Sequence, residues 1–119
     1  MATFTKLTLQ PAGTTGTGLG IKVAATVTAG TAIHTASTTP ATIDEVWLYA
    51  VNSSTSSVKL TIDWGEATAP DGNIEVTVLP EAGLVTVVPG LLMNGALTVK
   101  AFAGTASVVT VHGFVNKIA

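Results

Sequence analysis

The side chains able to do chemistry are few in this 119-residue chain: two histidines, seven acids and no cysteine. His34 and His112 are the only imidazoles. A zinc site would need further nitrogen or oxygen ligands to converge on them, without help from a thiolate. A serine nucleophile would need a base, an orienting group and an oxyanion pocket, and no Gly-x-Ser-x-Gly elbow occurs. Both histidines are therefore read as structural, with His112 sharing one strand face with Thr110 and Phe114. The acids Asp63, Glu66, Asp71 and Glu75 bracket one loop, and Asn73 adds an oxygen. Calcium collects about six to eight oxygens from such loops, but the spacing is not that of an EF-hand. Two carboxylates can also serve glycoside hydrolysis. Acids around a turn mostly keep it solvated, and that is the reading adopted. The glycine run Gly13 to Gly20 lacks the Gly-Lys-Ser/Thr and the helix of a phosphate-binding loop. No catalytic, cofactor-binding or metal residue is assigned, no cofactor is expected, and the chain is not expected to be an enzyme.

Aromatic residues offer a different chemistry. Trp47, Tyr49 and Trp64 could stack on a sugar ring or fill an interface. Trp64 continues the apolar parity of Val58, Leu60 and Ile62, which places it toward a core. Trp47 and Tyr49 take the parity opposite to Val46 and Leu48, which places them on a second face, as an oligomer or glycan contact.

The elements that must position these groups are strands. Val58, Leu60, Ile62 and Trp64 alternate with Lys59, Thr61 and Asp63, the period of two of a strand with one buried face. The pattern recurs at Ile21, Val23, Ala25, Val27; at Ile74, Val76, Val78; and at Leu97, Val99, Ala101. Strands are expected over 3–9, 19–28, 31–36, 42–51, 58–64, 73–79, 84–88, 96–103 and 107–117. In 42–51 both parities are apolar, so both faces should be covered. The turn 52–57 is expected to close a hairpin between 42–51 and 58–64. Pro80-Glu81-Ala82-Gly83 and Pro89-Gly90 should end strands, Asn94-Gly95 should make a tight turn, and 104–106 should join the last two strands as a hairpin loop. Eight or nine short strands with turn signals at this spacing predict an all-β fold: a two-sheet antiparallel β-sandwich of jelly-roll type. Residues 1–18 read as an N-terminal strand and flexible arm, and 19–119 as the sandwich domain.

Hydrophobic residues make up 47% of the chain and charged residues 10%, against about 25% charged in ordinary domains. So little charge argues against disorder and against a solitary monomer. Five scattered lysines and a net charge of −2 exclude the clustered cations that nucleic-acid binding needs. No run is long enough to span a membrane as a helix. The N-terminus lacks the basic start and apolar run of a secretory signal, so assembly in a cytoplasm is expected.

The phrases Thr42 to Asn52, Val58 to Gly65 and Leu84 to Gly90 resemble small all-β structural proteins of tailed bacteriophages. Ala101 to Val108 is similar to the end of lambdoid head-decoration proteins. The resemblance covers roughly residues 40–118. It implies a virion protein, a capsid decoration or cement protein that binds the major capsid lattice, often as a homotrimer, on the capsid surface. On this reading Phe4, Lys6, Leu7 and Leu9 form an arm that contacts the lattice, and no nucleic acid or membrane is a partner. A tail, neck or fibre component is the alternative within that class. A carbohydrate-binding module or adhesin using Trp47 and Tyr49 is the alternative outside it.

Overall fold

Alternating side chains become strand where one face can be buried. The structure, a computed structural model, describes residues 2–13 and 16–119 and contains nine strands among them. In chain order these are β1 (Phe4–Thr8), β2 (Ile21–Lys22), β3 (Thr31–Thr35), β4 (Ile43–Asn52), β5 (Val58–Trp64), β6 (Asn73–Val78), β7 (Val85–Met93), β8 (Thr98–Ala103) and β9 (Val109–Ile118). They form two antiparallel sheets. One has the order β1-β9-β4-β7, with β2 also on the β1 side of β9; the other has the order β3-β8-β5-β6. This is the eight-stranded jelly roll expected from the sequence, with β2 as an addition.

The core lies between the sheets. Val46, Leu48 and Ala50 of β4 and Val109, Val111 and Val115 of β9 face Ile33 of β3, Leu60 and Ile62 of β5, and Val99 and Ala101 of β8; all are buried. At Gly113 the sheet has no space for a side chain: a Cβ there would meet the Trp47 carbonyl oxygen, with Leu48 Cδ2 also close at 3.2 Å.

Two expectations about connections are corrected. β4 and β5 are not a hairpin, because they lie in different sheets and residues 53–57 carry the chain across the core. The same holds for β8 and β9; the tight turn expected at Asn94-Gly95 does form, through Gly95 and Ala96, and it joins strands of different sheets. Among the described residues, the one sequential pair of strands that are antiparallel neighbours is β5–β6. Asn52 holds its corner by donating from Nδ2 to the Ser56 and Val78 carbonyls and accepting from the Ser54 amide.

Two strand boundaries also differ. Residues 19–28 do not form one strand. Val23 enters the core, its amide donating to Val109 of the first sheet, while the Ala25 carbonyl accepts from Ala103 of the second. The segment thus crosses between sheets, and Val27 ends 69% exposed. β7 does not stop at Pro89-Gly90. It runs on to Met93 through a bulge in which Gly90, at φ +85°, is the extra residue between the pairs Val46–Leu91 and Trp47–Pro89. An edge strand tolerates this proline because its missing N–H need not face the ladder.

Candidate functional site

The outer face of the β1-β9-β4-β7 sheet carries aromatic, apolar and polar groups in rows set by the register. Phe4, Ile118 and Ile43 form the first row. Lys6, Asn116, Glu45 and Leu92 form the second. Thr8, Phe114, Trp47 and Pro89 form the third, and His112, Tyr49 and Thr86 the fourth. Parity produces this: even-numbered residues of β9 and odd-numbered residues of β4 point away from the core.

The aromatic rings are locked in place. Trp47 and Phe114 stack with centroids 5.9 Å apart at 8°. The Lys6 ammonium lies 5.1 Å from the Phe114 centroid. β1 and β4 flank β9 on opposite sides, so Phe114 is held between Lys6 and Trp47. On the far side of Trp47, a Cβ at Gly90 would fall 2.8 Å from indole Cζ2, so the ring packs into the space that glycine leaves. The indole Nε1–H donates to Glu45 Oε1 at 2.7 Å, and Asn116 Nδ2 donates to the same oxygen at 2.9 Å. These two bonds, Asn116 first, hold the Glu45 carboxyl below its ordinary value of 4.5 against a smaller opposing effect of desolvation. Trp47 and Tyr49 are thus both on this outer face, as their parity predicted. The Trp47 and Phe114 faces, however, are spent on each other and on Lys6 and Gly90. A sugar stacks on an open aromatic face, and neither of these two rings keeps both faces open.

The expected arm is divided by the fold. β1 is paired along its length with β9, Leu9 is buried in the chain's own core at 6% exposure, and Leu7 packs against that core. Leu7 and Leu9 therefore face inward, whereas Lys6 is exposed and Phe4 is 72% exposed. Thr14 and Thr15, within the expected flexible loop, lie outside the described residues.

The histidines separate. His112 lies on the outer face as expected. His34 is fully buried, and its Nε2 lies 2.7 Å from Asp44 Oδ2, while the Gln10 amide donates to Nδ1 at 3.0 Å. Because Nδ1 accepts, the Nε2–H tautomer donates to Asp44. A bulge in β3 makes this possible by turning both Ile33 and His34 inward. The sequence signal was Asp44 itself, which occupies the core parity of Val46, Leu48 and Ala50, where a carboxylate requires a partner. Both ring nitrogens are occupied within the core, so the pair is a structural clasp.

The acids of the 63–75 loop do not converge. Glu75 pairs with Lys59 at 2.6 Å on an exposed surface, Asp71 is exposed, and Asp63 is buried with Oδ1 accepting from Asn73 Nδ2 at 2.8 Å. Among the described residues no three His, Asp or Glu side chains approach as metal ligands would. Among the described residues no helix is long and apolar enough to cross a membrane. No family model, curated protein or solved structure matches the chain.

Proposed function

We propose that this chain is a virion structural protein: a capsid decoration or cement protein that binds the major capsid lattice as a homotrimer on the head surface. The observation that carries the reading is the outer face of the β1-β9-β4-β7 sheet. There Phe4, Ile118 and Ile43 form an apolar row with Leu92 next to it, on the same face as the locked Trp47–Phe114 pair but separated from it by Lys6, Asn116 and Glu45; Phe4 is 72% and Leu92 55% exposed. Apolar side chains left outward in a chain with 10% charged residues favour burial against another protein. Fully burying one such side chain is worth about 1.5–3 kcal/mol, and repetition over many sites on one shell multiplies the gain. The jelly roll supports the reading by analogy only, because viral capsid domains and lectins both use it. The short phrases shared with phage structural proteins are the second support.

Labelled protein viewed by electron microscopy on phage particles tests the reading. Decoration of the head in a regular lattice is the expected result. Density on the tail or neck would move the protein to the alternative site within the virion. Particles that bind none, together with a monomer on light scattering, would overturn the proposal.

A further inference from the structure

A cleft of about 350 Å³ opens on the other sheet, where the loop after β5 meets the start of β8. Its charged and polar walls are Asp63, Glu66, Thr98 and Lys100, and Ala96 and Leu97 supply apolar surface. Asp63 is on the polar parity of β5, yet is only 3% exposed. It stands in register between Asn73 of β6 and Lys100 of β8. Asn73 takes Oδ1, while Oδ2 is buried with no hydrogen-bond partner. Lys100 is directly across the ladder, but Asp63 enters no ion pair among the described residues. A buried carboxylate oxygen without a donor is a strong acceptor waiting for one.

We propose that this cleft binds a primary ammonium group carried on an alkyl stem, as at the tip of a lysine side chain. Two carboxylates against one ammonium leave the cleft one charge negative, so a single positive charge completes it. Ammonium supplies three donors, enough for the Asp63 and Glu66 carboxylates together. The apolar wall formed by Ala96 and Leu97, the latter 48% exposed, suits the methylene stem. A bare divalent cation would want more oxygens than Asp63 and Glu66 provide. The inference stands independently of any place in a virion.

The test is an amide chemical-shift titration of the full chain with n-butylammonium chloride at constant ionic strength, with n-pentanol as the uncharged match and calcium chloride as the metal control. Saturable shifts at Gly65, Leu97 and Thr98 are expected with the amine and not with the alcohol. Asp63→Asn should weaken binding about tenfold. Glu66→Gln, at an exposed position, should weaken it about threefold, and Lys100→Met should tighten it by a similar factor. Should Asp63→Asn fail to fold, the other two variants still decide. Nα-acetyl-lysine amide binding more tightly than butylammonium points to a lysine of a protein partner, and the reverse order to a free alkylamine. Absence of saturation, an equal response to pentanol, tighter binding of calcium, or weaker amine binding in Lys100→Met, would overturn the proposal; the last would mean that Lys100 is Asp63's own partner.

Discussion

His34 and Asp44 show how one polar pair is fixed by its neighbours. Asp44 sits on the buried parity of β4, and the β3 bulge delivers His34 to it. Asp44→Ala would leave the imidazole Nε2–H buried without an acceptor. The expected loss is about 1–3 kcal/mol of unfolding free energy, measured by urea denaturation, with Asp44→Asn milder because an acceptor oxygen remains. Glu45 governs the opposite face. Its carboxyl is held below 4.5 in the folded chain by Asn116 and Trp47, so the folded state binds its proton less readily than the unfolded state. The stabilisation is therefore present at neutral pH and above 4.5, and is lost as pH falls through the lowered value. Trp47 fluorescence in the native chain should change across that acidic window, and Glu45→Gln should remove the transition. The sequence showed which face Trp47 and Tyr49 occupy, because parity alone decides that. It did not show the Glu45 bonds or the His34–Asp44 clasp, which join residues of separate strands.

At the scale of elements, two glycines decide whether the first sheet can form. Gly113 pairs with Leu48, and a Cβ there would collide with the Trp47 carbonyl. Gly113→Ala should cost about 1–3 kcal/mol through backbone displacement, seen as a lower urea midpoint with an unchanged slope. Gly90 combines a positive φ with a missing Cβ beside Trp47. Gly90→Ala should destabilise the chain and disturb Trp47 emission, whereas Gly113→Ala acts mainly on stability. Such positions also show what the sequence could reveal. The run Val58 to Trp64 was legible to the residue, since its alternation is unbroken. The path of Val23 to Val27 was not, because the same period of two serves a segment that changes sheets. Turn chemistry behaves likewise: Ser-rich 53–57 and Asn94-Gly95 mark where the chain reverses, and nothing local distinguishes a hairpin from a corner. Pro89-Gly90 misled for a related reason, since a bulge on an edge strand uses the same residues as a strand end.

For the whole molecule, the consequence of the jelly roll is that two faces remain for partners, and they differ in character. The β3-β8-β5-β6 sheet shows Lys59, Glu75, Lys100 and Thr77 outward, a mixed surface that water tolerates. The β1-β9-β4-β7 sheet shows Phe4, Ile43, Ile118 and Leu92 at one end, the apolar group on which the proposed contact rests. If the proposed homotrimer forms through this end, light scattering should show a species near three times the 11.9 kDa chain mass. Phe4→Ser with Leu92→Ser should shift that species toward monomer and reduce binding to phage heads. Neither substitution should lower the stability of the fold by more than about 0.5 kcal/mol, since both side chains are mostly exposed. Deleting residues 1–18 is the less informative experiment. It removes the β1 ladder and Leu9 from the core along with Phe4, and so mixes loss of contact with loss of structure. If the double variant remains oligomeric and still decorates heads, the contact lies elsewhere, and the exposed Leu79, Leu84 and Leu91 around β7 become the surface to alter next.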